Sequence, residues 1–138
     1  MAELIIIQEG PVTFKRISDL IARDHGFQRT GRQISSRVWA AMKPIKNRVR
    51  TSDDHEVYWP NSDAPSPVLE FRGLEIASRV RGWKEVPLPE RLGLVKKVSA
   101  SSPVDLARAV ADAIGYERLT ETFREEIREL QILLKKLG

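Results

Sequence analysis

Apolar residues recur at helical spacing twice in the first half of the chain. Phe14, Ile17 and Leu20 predict an amphipathic helix that a cap at Thr13 opens and Gly26 ends. The next helix is expected to begin at a capping box of Thr30 and Gln33 and to stop before Pro44, which cannot continue it. Its predicted core face holds Ile34, Val38, Ala41 and Met42.

Beta-prone segments flank this helix pair on both sides. The stretch "ELIIIQEGP", 3–11, predicts a short strand that Gly10 and Pro11 stop. On the other side, Val49 alternates with arginines, "SDDH" at 52–55 supplies a turn, and "EVYW" at 56–59 returns as a strand. The order strand, helix, turn, helix, hairpin is typical of a winged helix-turn-helix, which we predict for residues 1–62.

The second half of the chain begins with a segment that has no clear period. Residues 63–100 are interpreted as a linker and an irregular connecting segment. A helix pair then follows at 101–138, with a cap at Ser102, a stop at Gly115, and a last helix that begins near Thr120 or Thr122. The expected fold class is therefore α+β, mainly α with a small β component.

The two helix pairs resemble each other. A shift of 89 positions places Thr13 on Ser102, Gly26 on Gly115, Phe27 on Tyr116 and Arg29 on Arg118. Cap, glycine, aromatic and arginine recur in the same order, which indicates a degenerate internal repeat. Phe27, which follows the first glycine, is expected to pack inward.

Charge distinguishes the two copies. The net charge is +4, but between Arg29 and Arg50 the chain carries seven cations and no acid. Such a stretch favours an anionic partner, of which nucleic acid is the commonest. The candidate contact residues are Arg29, Thr30, Arg32, Gln33, Ser36, Arg37, Lys43, Lys46, Arg48 and Arg50. The last helix instead carries Glu121, Glu125, Glu126 and Glu129, which would repel phosphate.

The last helix also carries an apolar seam at alternating spacings of four and three residues. This seam comprises Phe123, Ile127, Leu130, Leu134 and Leu137. Packing on the protein's own core is the favoured interpretation. The alternative is a partner-binding surface formed by Ile127, Leu130, Leu134 and Leu137.

The sequence offers little chemistry for catalysis. It has no cysteine and two histidines, His25 and His55, and no phosphate-cradling loop or metal-ligand spacing is evident. A non-enzyme without metal or cofactor is therefore expected. The apolar runs are too short to span a membrane and the start lacks the pattern of a signal peptide, so a soluble, cytoplasmic protein without a membrane partner is expected.

Five short motifs, in order, carry a family resemblance: "EGPV" at 9–12, "GFQRTGRQI" at 26–34, "VYWP" at 57–60, "VPLPE" at 86–90 and "GYERLT" at 115–120. The chain resembles an uncharacterised bacterial domain found at the C-terminal end of large superfamily I helicase-like proteins, often beside a nuclease-like domain. The helicase and nuclease parts have no counterpart here. The resemblance implies a DNA-processing context and no catalytic residues.

These observations lead to one expected function and two alternatives. We expect a non-catalytic module that binds nucleic acid, duplex DNA in particular, as an accessory to a helicase or nuclease protein. The alternatives are a protein-interaction or dimerisation module that acts through the C-terminal helix, and a stand-alone DNA-binding regulator. The sequence leaves the oligomeric state open.

Overall fold

The computed structural model describes residues 1–27, 31–45, 48–50, 56–60 and 66–138, with the backbone alone at 48–50. The helices in these residues are α1 (Ala2–Glu9), α2 (Phe14–Asp24), α3 (Arg32–Met42), α4 (Leu88–Ser99), α5 (Leu106–Ala113) and α6 (Glu121–Leu137). The strands are β1 (Val12–Thr13), β2 (Arg48–Arg50), β3 (Glu56–Tyr58), β4 (Glu75–Ile76) and β5 (Arg79–Val80). The predicted class, mainly α with small antiparallel sheets, is confirmed.

The chain divides into two compact units. The first unit comprises Met1–Pro65 and Glu75–Pro87, and the second comprises Ser66–Leu74 and Leu88–Gly138. The segment 63–100, predicted as a linker and irregular connection, is thus shared between both units and contains the twelve-residue helix α4. Its β4–β5 hairpin belongs to the first unit, and α4 to the second.

The first element of the chain is the helix α1, so the prediction of a strand there was wrong. Its isoleucines favour β structure in isolation, but propensity is a weak influence beside tertiary burial. Ile5, Ile6 and Glu9 are buried at helical spacing, and Ile5 and Ile6 join the core of the first unit. The predicted stop is correct, since Gly10 N–H closes the helix on Ile6 O at 2.8 Å.

A three-stranded antiparallel sheet in the order β1-β3-β2 accompanies the helices of the first unit. Val12 pairs with Tyr58 on one side of β3, and Arg48 pairs with the same residue on the other side. Thr13 ends β1 and also caps α2, because its Oγ1 accepts the Arg16 N–H at 3.1 Å. The predicted cap and hairpin strands are therefore present, whereas the predicted turn lies outside the described residues.

The ends of α2 and α5 have the same geometry. At the first, Gly26 adopts φ +82°, its N–H bonds to Arg23 O at 3.0 Å, and Phe27 N–H bonds to Ala22 O at 2.9 Å. At the second, Gly115 adopts φ +77°, and Tyr116 N–H bonds to Ala111 O at 2.8 Å. This pattern is the Schellman motif, which needs a left-handed residue and so favours glycine.

The helix starts of the repeat differ from the prediction at two positions. Helix α5 begins at Leu106 and not after Ser102, because the Asp105 carboxylate accepts the Arg108 N–H at 3.2 Å. Hydrogen bonds from the Arg124 side chain and from this N–H hold the pKa of Asp105 below its usual value. Helix α3 begins at Arg32 after Gly31, so its start lies one residue later than the predicted box.

A buried ion cluster holds Glu75–Pro87 in the first unit. Arg16 is fully buried, and its Nε donates to Glu9 Oε1 at 2.9 Å. Its Nη1 donates to the carbonyl of Val80 at 2.8 Å and lies 3.7 Å from the Glu85 carboxylate. Because a buried guanidinium needs partners, these contacts fix the inserted segment against α1 and α2.

In the second unit, α4 packs against α5 and α6, and α5 packs against α6. The segment Ser66–Leu74 is fastened to α4 by Arg72, which makes two charge-assisted bonds to the fully buried Glu90, at 3.1 and 2.8 Å. Leu69 N–H also bonds to Pro89 O at 2.9 Å. A Cβ on Gly93 would lie 1.6 Å from Leu69 O, so only glycine permits this approach.

Candidate nucleic-acid interface

Packing against α2 sets the orientation of α3. Val38 and Met42 are buried, Ile34 is half-buried, and the ring of Trp39 stands edge-on to Phe14 with centroids 5.2 Å apart. The predicted core face is therefore confirmed at these positions. Ala41 is the exception: it was expected on this face but is exposed.

The opposite face of α3 is exposed and basic. Arg32, Ser36, Arg37 and Lys43 are exposed, as the helical period predicts, and Gln33 is exposed too. The helix contains no acid. Its cations, with Lys43 directly after the helix, make no ion pair with any residue in the described part of the chain. Within the described residues, therefore, no carboxylate neutralises them.

The remaining predicted contact residues are only partly described. Arg29, Thr30 and Lys46 lie outside the described residues. Arg48 and Arg50 belong to β2, where their backbones pair with Tyr58 and Glu56. The structure therefore brings together the helix half of the predicted site and gives only the backbone of the hairpin half.

Burial removes several carboxylates from the surface of the first unit. Glu9, Glu56 and Glu85 are buried, and Glu9 is neutralised by Arg16. Burial raises the pKa of Glu85 above its usual value, although the Gly82 N–H on its Oε1, at 2.8 Å, opposes the shift. These three carboxylates are therefore not part of the exposed surface of the first unit.

Helix α6, which corresponds to α3 in the second helix pair, has an acidic exposed face. Glu121, Glu125 and Glu129 are exposed on α6, and Glu126 forms an ion pair with Arg91 at 2.8 Å. The geometry of the joint thus recurs without the basic face. The shared geometry therefore has a structural role, and of these two helices only α3 has an exposed face without acids.

The apolar seam of α6 is divided between core and surface. Ile127 and Leu130 are 1% and 5% exposed, so they pack inside the second unit. Leu134 is half-buried and Leu137 is 48% exposed. Of the four predicted partner-binding residues, only these last two are accessible.

The positions of two side chains in the first unit, Phe27 and Arg16, were not predicted from the sequence. Phe27 is 53% exposed, so the prediction that it packs inward was wrong; the Schellman turn carries it past the end of the helix. Arg16 was not singled out, although it lies four residues before Leu20 on the apolar stripe. A cation on such a stripe indicates a buried ion pair, because a lone buried charge is costly.

The described residues hold no group of three or more His, Asp or Glu side chains arranged to bind a metal ion. None of the helices in the described part of the chain is long and apolar enough to cross a membrane.

Comparison with known proteins gives one partial match. Residues 1–36 match the model of a family described as "Protein of unknown function (DUF3320)". The matched segment spans α1, β1, α2 and the first turn of α3, and includes the motifs "EGPV" and "GFQRTGRQI". It supports a relation, over this segment, to an uncharacterised domain. No curated protein and no solved structure matches the chain.

Proposed function

We propose that the first unit is a winged helix-turn-helix that binds duplex DNA without catalysing a reaction. The order α1-β1-α2-α3-β2-β3, with sheet order β1-β3-β2, supports this architecture. In it, α3 is the recognition helix and the β2–β3 hairpin is the wing. The sequence expectation lacked α1, whose presence brings the element order closer to that of a winged helix.

The observation that carries the proposal is the exposed, acid-free basic face of α3, whose cations make no ion pair with any described residue. Arg32 and Gln33 occupy its first turn, where a recognition helix meets base edges. Arginine pairs with guanine and glutamine with adenine through two hydrogen bonds each. Ser36, Arg37 and Lys43 then contact phosphates, and the N-terminus of α3 adds a favourable dipole.

The proposal extends to residues whose side chains are not described. Arg29 and Thr30 contact the backbone of the DNA at the start of α3, and Lys46, Arg48 and Arg50 hold the phosphates beside the wing. The acidic face of α6 is the reason that the second helix pair has no such role.

The biological context we propose is an accessory module of a helicase or nuclease protein. This rests on the motif resemblance; the partial family match supports only an uncharacterised domain. The alternative of a stand-alone DNA-binding regulator uses the same face of α3. Both contexts require α3 to bind DNA, which a DNA titration tests.

Titration of a labelled duplex and a labelled single strand tests the proposal. If about four to six phosphates are neutralised, log K should fall with log salt with a slope of about −4 to −5 between about 50 and 200 mM. The triple variant Arg32→Glu, Arg37→Glu, Lys43→Glu should lose duplex binding. Each cation removed singly, as alanine, should reduce the slope by about one.

A matched triple variant in the second unit controls for net charge. Arg118→Glu, Arg128→Glu and Lys136→Glu reverse three exposed cations outside α3 and should leave the affinity within a few-fold of the wild type. Equal affinity of the wild type and the α3 variant, with the fold intact, would refute the proposal. An equal loss of affinity in both triple variants would mean that net charge, and not the face of α3, drives the binding.

A further inference from the structure

A groove between the ends of α4 and α6 is a second feature that suggests a partner. It has a volume of about 410 Å³ and lies entirely within the second unit. Val68, Leu134 and Leu137 form its apolar part, and Gln131 and Ser99 contribute polar atoms. Lys96 and Lys135 stand in its lining on the two helices.

The charged side chains that line this groove are the lysines Lys96 and Lys135. Lys96 and Lys97 end α4, and Lys135 and Lys136 end α6. All four are exposed, and none makes an ion pair within the described part of the chain. The two helix C-termini contribute about half a negative charge each, which offsets only one of the four positive charges. The positive charge of the lysines therefore exceeds the partial negative charge of the two helix ends.

We propose that this groove docks an acidic amphipathic peptide segment of a partner protein. Leucine or a similar side chain of the peptide fills the space beside Leu134 and Leu137, and flanking Asp or Glu residues face Lys96 and Lys135. This is the helix-in-groove or extended-peptide mode of recognition, in which apolar anchors give affinity and charges select the partner.

Other anionic occupants fit the groove less well. DNA phosphates gain nothing from contact with the leucine side chains, and no aromatic residue lines the groove to stack on a base. A lipid bilayer is flat, whereas this surface is concave. A second copy of the chain would bring the same lysines together across a two-fold interface, where like charges repel.

Selection from a random peptide library displayed on phage, against the immobilised full chain, tests the proposal. The enriched peptides should combine apolar residues with an excess of Asp and Glu. Synthetic dye-labelled copies should bind in fluorescence anisotropy titrations. Their affinity should fall about tenfold or more in Lys96→Glu, Lys135→Glu, since each reversal replaces an attraction to the peptide by a repulsion.

A second pair of variants separates the apolar contacts from charge. Leu134→Ser, Leu137→Ser changes two partly exposed residues, so the fold is kept, and it should also weaken binding. Arg118→Glu, Arg128→Glu shifts the net charge as much as the lysine variant but leaves the groove lining unchanged, and should bind normally. Amide chemical shifts should move at Val68, Lys96 and Gln131.

Several outcomes would overturn the proposal. These are a failure to enrich any peptide whose binding depends on the groove residues, and enrichment of basic peptides. Lysine-dependent binding of phosphatidylserine vesicles or of duplex DNA in place of peptides would assign the groove to another partner. A dimer in light scattering that Leu134→Ser, Leu137→Ser dissolves would assign it to a second copy. Because these variants leave α3 unchanged, they do not bear on DNA binding by the first unit.

Discussion

Arg16 is the residue on which the first unit depends most directly. Its guanidinium is fully buried and lies beside the carboxylates of Glu9 and Glu85. Glu9 lies at hydrogen-bond distance, 2.9 Å, whereas Glu85 lies at 3.7 Å and has a raised pKa because it is desolvated. Asp19, which hydrogen-bonds to Glu85, raises that pKa further.

This arrangement predicts different results for the two carboxylates. Glu9→Gln should lower the free energy of unfolding of the first unit by about 3 kcal/mol, because it leaves Arg16 without its close partner. Glu85→Gln should change it by no more than about 1 kcal/mol, since glutamine keeps the acceptor for Gly82 N–H. Tryptophan fluorescence measures this unit alone, because Trp39, Trp59 and Trp83 all belong to it.

The raised pKa of Glu85 also sets a pH dependence. The folded state binds this proton more tightly than the unfolded chain, so the stabilisation is full below the usual pKa of 4.5 and is lost as the pH rises through the raised value. Denaturation of the first unit at a series of pH values should show this decline in the wild type. The contribution should vanish in Glu85→Gln, and an unchanged profile there would contradict the assignment.

At Gly93, a single added carbon atom would disrupt the packing of the second unit. Gly93→Ala places a Cβ against Leu69 O, and so must displace Ser66–Leu74 from α4. The displacement breaks the Arg72–Glu90 bonds and leaves Glu90 buried. We expect a loss of about 3 kcal/mol in the stability of the second unit, measured by circular dichroism. Lys97→Ala, at an exposed site of the same helix, should cost less than about 0.5 kcal/mol.

At the scale of elements, the joint between α2 and α3 recurs between α5 and α6. Both helices end 89 positions apart, and Arg32 and Glu121 begin the helices that follow with the same shift. The sequence predicts this because glycine at a helix end has a local cause, the left-handed turn. The helix starts were less predictable, since serine, aspartate and threonine all cap well and only the tertiary contacts select among them.

Gly26→Ala and Gly115→Ala should therefore have the same effect. Neither site has an atom within 4 Å of an added Cβ, so the cost is that of the left-handed backbone alone, about 1 kcal/mol in each unit. Tryptophan fluorescence reports the first variant and circular dichroism the second. A difference of more than about 1 kcal/mol between the two would mean that the joints are not equivalent.

The elements that the sequence did not predict owe their form to distant contacts. Helix α1 has an isoleucine-rich sequence suited to a strand, and it is the core contacts of Ile5 and Ile6 that favour the helix. By contrast, periodicity predicted the exposed face of α3 with Arg32, Ser36 and Lys43, and Arg37 on its flank, because this helix is long and amphipathic. The hairpin β4–β5 has two residues in each strand, too few for any period to be seen.

At the scale of the whole molecule, each unit is built from two separate segments of the chain. A boundary at residue 62 follows linker composition, yet Glu75–Pro87 supplies Trp83 and Val86 to the interior of the first unit. It also supplies the Val80 carbonyl to Arg16 and the Glu85 carbonyl to Thr13 Oγ1, at 2.8 and 3.2 Å. Amino-acid composition shows which segments are polar, but it does not show that a later segment packs into the core of the first unit.

Fragments of the chain test this division. A fragment of residues 1–65 keeps the Arg16–Glu9 pair but loses the acceptors of Arg16 and of the Thr13 hydroxyl on the inserted segment. It also loses the buried side chains of that segment, so it should show no cooperative unfolding transition. The fragment 1–87 keeps every residue of the first unit. It should unfold cooperatively, with a fluorescence midpoint close to that of the first unit in the whole chain.

The same fragments connect folding to the proposed DNA binding. Since α3 and the β2–β3 hairpin both lie in the first unit, 1–87 should bind duplex DNA with the salt dependence of the whole chain. Residues 1–65 contain every proposed contact residue but should bind weakly, because an unfolded chain does not present them on one face. Cooperative unfolding and full DNA affinity of 1–65 would show instead that Glu75–Pro87 is dispensable, and that the boundary set by composition is the correct one.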